Sequence, residues 1–161
     1  MHVELPDLEC VCASLRRAAR AVSRQYDREL RVTGLNAAQF TLLDVLARQD
    51  AQPVTQGWLG EVLALDSTTL TRTLAPLVDR KWIRSAPGQD RRERLWSITA
   101  AGLRQLEASR PRWERAQKQL RDRLGDQGWE AMLEDLTDVA TAARMRSLDG
   151  VKRISRRRRR K

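Results

Sequence analysis

The fold is decided by the stretch DSTTLTRTLAPL at residues 66–77 and by the segment KWIRSAPGQDRRERLWSIT at residues 81–99. The first stretch carries leucines at positions 70, 74 and 77, a spacing typical of the buried side of a helix. We expect this helix to begin at Asp66 or Ser67, either of which can act as the N-cap, and to end near Arg80. The second segment alternates between apolar and polar residues, which is the period of a β-strand.

Two prolines punctuate this region. Pro76 removes one backbone hydrogen bond from the predicted helix, so we expect a bend or an early loosening there. Pro87 opens the turn Pro87–Asp90, which separates a strand at 82–86 from a return strand at 92–98. The segment after the helix is therefore predicted to fold back on itself as a β-hairpin.

The chain before residue 66 is predicted to form three more helices, at residues 8–31, 36–48 and 56–63, because its apolar residues follow the helical period. Asn36 and Gln39 form a capping box at the start of the second helix, and Thr55 caps the third. A tight turn then joins the third helix to the fourth. A short helix, a tight turn and a second helix in this order are typical of a helix-turn-helix.

The chain after the hairpin is predicted to be helical again. Thr99 caps a long fifth helix that reaches about Leu124 with an interruption only at Pro111, and Gly125 precedes a sixth helix at 127–146. The first, fifth and sixth helices are longer than a small domain requires, and their apolar stripes need a partner. We therefore expect a homodimer.

The net charge of +10 is concentrated at the C-terminus. Residues 151–161 carry eight basic side chains and no acidic one, which leaves +2 for the rest of the chain. Residues 67–99 hold seven Lys or Arg against three acidic residues. This distribution indicates an anionic partner. For the tail, a disordered solubilising end and a DNA-affinity arm are equally open.

Several function classes are disfavoured by what the sequence lacks. No run of 18 apolar residues and no secretory signal occur, so we expect a cytoplasmic protein that does not associate with membranes. Cys10 and Cys12 are too few and too close for a disulfide framework. His2 is the only histidine, and no phosphate-binding glycine loop or metal-ligand cluster occurs. We therefore expect neither an enzyme nor a bound metal or cofactor.

The exposed side of the fourth helix suits contact with base edges in the major groove of DNA. Small hydrogen-bonding side chains let a helix approach the bases, and an arginine can bond guanine bidentately. The residues of this kind are Ser67, Thr68, Thr69, Thr71 and Arg72. Basic hairpin residues suit the minor groove and the phosphates, and these are Arg84, Arg91, Arg92 and Arg94.

Residues 35–103 resemble the multiple-antibiotic-resistance regulator (MarR) family of winged helix-turn-helix transcription factors. The matching residues are Leu35, Gln39, Phe40, Leu43, Pro53 to Thr55, Leu59, Gly60, Asp66 to Arg72, Leu77, Trp82, Ile83, Asp90 to Arg92, Leu95 to Thr99, Ala101 and Gly102. The resemblance implies a mainly α fold with a small β-hairpin wing, whose N- and C-terminal helices form an obligate dimer. Lys81 departs from the family, which commonly has glycine there, and a left-handed turn at a lysine would cost about 1 kcal/mol.

The resemblance also assigns roles to the DNA-binding residues. In that family the fourth helix reads the major groove, and Asp90 and Arg92 match a wing signature whose arginine enters the minor groove. Thr55 and Gln56 complete the predicted DNA-binding set. We expect the dimer to bind a palindromic operator, with half-sites about one helical turn apart, and to act as a repressor.

The resemblance divides the chain into four parts: an N-terminal dimerisation helix at 1–34, a DNA-binding lobe at 35–99, C-terminal dimerisation helices at 100–148, and a basic disordered tail at 149–161.

The alternative function, of another class, is a non-specific nucleic-acid-binding architectural protein whose binding is driven by the basic tail. Such a protein would not need the polar edge at 67–72.

The family resemblance further implies control by a ligand or by a sensor cysteine. An arginine would pair with the carboxylate of a small aromatic or anionic effector, in a site predicted to comprise Arg16, Arg20, Tyr26, Phe40 and Trp113. Alternatively, Cys12 lies fourteen residues before Tyr26, the spacing found in the family's organic-hydroperoxide sensors, where a tyrosine hydrogen-bonds the thiol. The second tyrosine of those sensors falls at Ala37, and a buried structural Cys12 is the favoured interpretation.

Overall fold

The computed structural model describes residues 6–50, 52–88, 90 and 93–158, with side chains described as far as residue 143. Two compact units divide the chain, Met1–Gln117 and Lys118–Lys161. The elements, in chain order, are α1 (Val11–Leu30), a 3-10 turn (Arg31–Thr33), α2 (Ala37–Ala47), β1 (Val54–Thr55), α3 (Gln56–Leu63), α4 (Ser67–Asp79), β2 (Ile83–Pro87), β3 (Arg94–Ile98) and α5 (Ala100–Arg158).

The helix starts of the first unit follow the predicted caps. The Asn36 side chain accepts a hydrogen bond from the Gln39 amide at 2.9 Å, and the Gln39 side chain accepts one from the Asn36 amide at 3.1 Å. Thr55 Oγ1 accepts a hydrogen bond from the Trp58 amide at 3.0 Å. These contacts satisfy amide groups that have no partner inside the helix, so α2 and α3 begin within one residue of the predicted positions.

The sheet has one strand more than the predicted hairpin. β2 and β3 pair antiparallel, and β1 pairs with the other edge of β3, so that Val54 lies opposite Trp96 and Thr55 opposite Leu95. A two-residue strand is too short to show a period of two, which is why the sequence pattern did not predict it.

The core of the first unit joins the three-stranded sheet to helices α1 to α5. Its fully buried side chains come from every helix of the unit and include Leu30, Leu42, Leu43, Leu46, Leu59, Leu70, Leu74, Leu77 and Leu106. The side chain of Gln25 in α1 donates a hydrogen bond to the Ala116 carbonyl in α5 at 3.2 Å. Burial of these leucines holds α4 against α2 and α3, and leaves its polar side at the surface.

One predicted interruption does not occur, since α5 continues through Pro111. The helix α4 extends past Pro76 to Asp79, close to its predicted end near Arg80, so it does not loosen early, and a bend at Pro76 stays a prediction. A proline removes its own amide hydrogen bond and crowds the preceding turn, and the flanking hydrogen bonds and core contacts keep each helix continuous. The left-handed turn expected after α4 is present, since Lys81 has φ of 60°.

The second unit consists of the remainder of α5. Gly125, with φ 72° and ψ 160°, is the one non-helical residue recorded inside α5, at the position where the sequence predicted a boundary between two helices. The backbone is helical through Arg158, residues 159–161 lie outside the described residues, and the predicted disorder of the tail at 149–161 stays a prediction. Arginine and lysine are good helix formers, so a basic composition does not by itself end a helix. Among the described residues no helix is long and apolar enough to span a membrane.

Candidate nucleic-acid interface

The turn between α3 and α4 brings the two helices close together. Ala64 has φ of 51°, and the Leu65 amide donates a hydrogen bond to the Gly60 carbonyl at 2.9 Å. A Cβ atom on Gly60 would lie 3.1 Å from the Leu65 carbonyl oxygen, which is closer than a side chain normally approaches. Gly60 therefore allows the turn to close tightly against α3, and it fixes where α4 begins.

Asp66 is the N-cap of α4. Its carboxylate accepts hydrogen bonds from the Thr69 amide at 2.9 Å and from the Thr69 hydroxyl at 2.8 Å. Mainly the backbone hydrogen bond from Thr69, and then the hydroxyl bond, lower the pKa of Asp66 from its ordinary value. The first turn of α4 is therefore held by an ionised carboxylate.

The two sides of α4 differ in character. Leu70, Leu74 and Leu77 are buried, whereas all five residues that the sequence predicted for base contact are exposed: Ser67, Thr68, Thr69, Thr71 and Arg72. The structure thus exposes the whole predicted set in the first two turns of α4, which we call the reading edge.

Hydrogen bonds inside the protein distinguish the members of the reading edge. The Thr71 hydroxyl donates to the Ser67 carbonyl at 2.7 Å, and the Thr69 hydroxyl donates to Asp66. Both donors are therefore used within the helix. The side chains of Ser67, Thr68 and Arg72 have no hydrogen bond or ion pair to any residue that the structure describes. These three side chains are the ones left to donate to another molecule.

A contact between the helices supports the reading edge. Gln56, the first residue of α3, directs its side-chain amide at the Thr71 hydroxyl oxygen, 3.4 Å away. Gln56 was predicted to contact DNA, and the structure shows that its side chain lies beside Thr71 of the reading edge. The sequence pattern could not show this contact because fifteen residues separate the two side chains.

The hairpin holds two of its arginines along the strands. Arg84 donates to the Ser97 hydroxyl at 3.1 Å across β2 and β3, and Arg94 donates to the Ser85 hydroxyl at 3.2 Å. Asp90 is exposed at the tip. Arg91 and Arg92 lie outside the described residues, so their predicted contacts with DNA remain predictions.

The predicted effector residues occupy different surroundings. Phe40 is buried, and its ring stacks on Trp113 with centroids 5.6 Å apart. The Tyr26 hydroxyl donates to the Gln117 side chain, and burial raises the pKa of Tyr26. Arg16 and Arg20 are exposed on α1. The aromatic members therefore pack within the unit, while the two arginines face outward.

The cysteines are more accessible than expected. Cys10 and Cys12 are both exposed in the single chain, so Cys12 is not buried within its own subunit, contrary to its interpretation as a buried structural residue. The buried residues of α1 are Gln25 and Leu30, near its C-terminal end, and the core does not extend to its beginning. Fourteen helical residues span about 21 Å, so a hydrogen bond between Cys12 and Tyr26 cannot form within one chain.

Comparisons with known proteins agree with this arrangement. A family model described as the MarR family matches residues 33–93. The transcriptional regulator MosR of M. tuberculosis, solved in complex with DNA, is 32% identical, and the match covers 84% of this chain and 97% of MosR with a TM-score of 0.75. The regulator PcaV of Streptomyces coelicolor shares the fold at 22% identity, over 88% of this chain and 99% of PcaV, with a TM-score of 0.74.

The chain is also similar in sequence to a curated relative. It is the uncharacterized HTH-type transcriptional regulator YwoH of Bacillus subtilis, 27% identical over 93 residues. That match covers 58% of this chain and 66% of the length of YwoH. The matched proteins are regulators rather than enzymes, and the predicted mainly α fold with a winged helix-turn-helix is confirmed. The chain belongs to the MarR family of transcriptional regulators.

Proposed function

We propose that the chain binds a palindromic DNA operator as a homodimer in the cytoplasm and represses transcription from that site. The observation that carries the proposal is the reading edge, where Ser67, Thr68 and Arg72 are exposed without partners among the described residues. An exposed row of unpaired donors on the second helix of a helix-turn-helix is suited to the major groove. The likeness to MosR, which was solved with DNA, supports it.

Three side chains of the reading edge have separate chemical roles in this proposal. Arg72 bonds the O6 and N7 atoms of a guanine, and Thr68 bonds a base edge or a phosphate. Thr71 uses its hydroxyl hydrogen inside the helix, so it offers its methyl group to a thymine instead. Thr55 and Gln56, at the start of α3, contact phosphates.

The wing adds contacts outside the major groove. Arg92 enters the minor groove beside Asp90, and Arg84, Arg91 and Arg94 contact phosphates. The contacts of Arg91 and Arg92 are supported by the resemblance of residues 90–92 to the wing signature of the family. Arg84 and Arg94 are supported by their exposure on the hairpin.

The dimer is supported by an exposed apolar stripe in the second unit. Leu133, Leu136 and Val139 recur at helical spacing and are 46%, 44% and 40% exposed. Contiguous apolar surface of this kind is typical of an interface, and we assign it to a second copy of the chain. Leu136→Glu is expected to yield monomers in sedimentation velocity, whereas Thr137→Glu, at a neighbouring polar position, leaves the dimer intact.

Selection of bound duplexes from a random pool tests the operator. We expect a palindromic consensus, and Arg72→Ala is expected to lose discrimination at one base position by about tenfold, roughly 1.4 kcal/mol. Arg48→Ala is the matched control, since Arg48 pairs with Asp44 on α2. Equal affinity for selected and random duplexes at fixed salt would support the architectural alternative and contradict the proposal.

We propose first that a small aromatic or anionic ligand releases the protein from DNA. The exposed arginines Arg16 and Arg20 support capture of a carboxylate. Phe40 and Trp113 contribute to the ligand site only if their stacked rings separate. We expect phenolic acids to reduce operator binding by the wild type. The variants Arg16→Gln and Arg20→Gln should not show this loss.

Peroxide sensing through Cys12 is a second candidate, favoured by the exposure of the thiol. One equivalent of an organic hydroperoxide would convert the thiol to a sulfenic acid and leave as the alcohol. Operator binding that falls with hydroperoxide in the wild type and persists in Cys12→Ser would support it. An identical response of both proteins would exclude it.

A further inference from the structure

The C-terminal end of α4 is joined to the end of α1 by Arg80. The Arg80 guanidinium donates a hydrogen bond to the Gly34 carbonyl, just after the 3-10 turn that ends α1. Its central carbon also lies 4.9 Å from the centroid of the Trp82 ring, within the range of a cation–π contact. Gly34 has φ of 78°, so the chain turns away at this point and leaves its carbonyl open to Arg80.

The same end of α4 is held against the beginning of α5. The Thr99 hydroxyl donates to the Lys81 carbonyl at 2.8 Å and to the Trp82 carbonyl at 3.1 Å. The Thr99 amide also donates to the Trp82 carbonyl, at 3.0 Å. A Cβ atom on Gly102 would lie only 2.0 Å from the Trp82 carbonyl oxygen. The backbone after α4 is therefore in close contact with the first turn of α5.

The connection between these contacts and α4 is stiff. The Lys81 amide donates to the Val78 carbonyl at 2.8 Å, and the Trp82 amide donates to the Leu77 carbonyl at 2.9 Å. These two bonds, with Lys81 left-handed, form a Schellman motif that closes the helix. Arg80 and Trp82 are thus fixed to α4 itself, so the helix moves with them.

A small tilt of α4 about its C-terminal end would displace its N-terminal end. The thirteen residues of α4 span about 20 Å. A tilt of about 10° at Arg80 would therefore displace Ser67 by roughly 3 Å, close to the rise of one base pair along the duplex. In a two-fold dimer both copies are displaced, so a tilt of about 5° in each changes the separation of the two Ser67 residues by roughly 3 Å.

We propose that Arg80 is a positioning residue that sets which spacing between operator half-sites the dimer accepts. It does so from outside the reading edge, by fixing α4 to the end of α1. The inference rests on the proposed dimeric recognition of a palindrome. In this inference Arg80 determines which spacing of half-sites is accepted, and the reading edge recognises the bases within each half-site.

The test compares binding of three duplexes that differ only in spacing. They carry the selected half-sites at the selected spacing and with one base pair added or removed. Wild type is expected to prefer the selected spacing by about tenfold. Arg80→Met keeps an apolar stem against Trp82 but cannot donate to Gly34, and the preference should fall to threefold or less. Arg80→Lys should restore part of it.

Two controls separate positioning from a general loss of stability. Arg48→Met removes a surface arginine that pairs with Asp44 of α2, and it should keep the wild-type preference. Affinity of Arg80→Met for a single half-site, and its melting temperature, should stay near the wild-type values. Equal weakening of Arg80→Met on all three duplexes would overturn the inference. A wild type that shows no spacing preference would instead overturn the proposed palindromic recognition, and the role of Arg80 with it.

Discussion

Asp66 illustrates how a single side chain prepares the reading edge. Its carboxylate binds the Thr69 amide and hydroxyl together, so the same residue starts α4 and fixes the rotamer of Thr69. A cap of this kind is readable from sequence because its partners lie within three residues. The caps at Asn36, Thr55 and Thr99 were predictable for the same reason.

Loss of this cap is expected to depend on pH. Since the pKa of Asp66 is lowered in the folded state from 3.8, its contribution is fully present above that ordinary value and is lost as pH falls through the lowered pKa. Asp66→Ala should therefore melt at a lower temperature than wild type at pH 7, and the difference should shrink below about pH 3.8.

Asp66→Asn is the matched control, because asparagine caps a helix without carrying charge. Its melting temperature should remain above that of Asp66→Ala at all these pH values. A difference between wild type and Asp66→Ala that is constant down to pH 2 would contradict the role of the ionised carboxylate.

Other residue contacts could not be predicted. Gln56 meets Thr71, and Arg80 meets Gly34, across 15 and 46 residues of sequence. Neither pair shows a signal in periodicity or local spacing. The sequence thus predicted which side chains form the reading edge, but left open which of their hydrogen bonds are already used inside the protein.

At the scale of elements, most helices followed from apolar spacing, and the errors lie at Pro111 and at the short strand β1. Pro111 was predicted to interrupt α5, although the helix tolerates the loss of a single backbone hydrogen bond there. The approach of α5 to the residue after α4 was also unforeseen. It depends on Gly102, whose role is visible only when the Trp82 carbonyl is placed beside it.

Two glycine-to-alanine variants in α5 should have opposite effects. Gly102→Ala would force a Cβ atom to 2.0 Å from a backbone oxygen, so we expect a loss of roughly 1–3 kcal/mol in the free energy of unfolding. The nearest neighbour of a Cβ on Gly128 would be Leu124 Cβ, 3.8 Å away. Gly128→Ala should then gain up to about 1 kcal/mol through helix propensity. Urea denaturation measures both, and a stable Gly102→Ala would refute the close contact.

At the scale of the whole molecule, charge and specificity are separated along the chain. Eight basic residues lie in 151–161, far along the sequence from the reading edge at 67–72. Counterion release makes a basic tail bind any duplex, whatever its sequence. The composition predicted an anionic partner, whereas the reading edge and the family resemblance were needed to propose a particular DNA sequence as that partner.

Deletion of 151–161 should weaken binding to operator and random duplexes by the same factor. The dependence of log affinity on log salt should become shallower by roughly 0.9 for each phosphate that the tail no longer neutralises. Fluorescence anisotropy between 50 and 200 mM salt, about the range over which such ionic interactions are distinguished, measures both effects. A changed base preference would show that the tail takes part in reading.

The third strand, β1, has a consequence for how this regulator meets imperfect DNA. Thr55 pairs with Leu95 of the wing and also caps α3, whose residue Gln56 contacts α4. The strand therefore couples the wing to the helices, so we expect that the hairpin does not swing independently of α4 when the groove of a duplex is wider or narrower. Under the proposed function, we expect the flexibility of the DNA, rather than that of the hairpin, to decide which near-matching duplexes are bound.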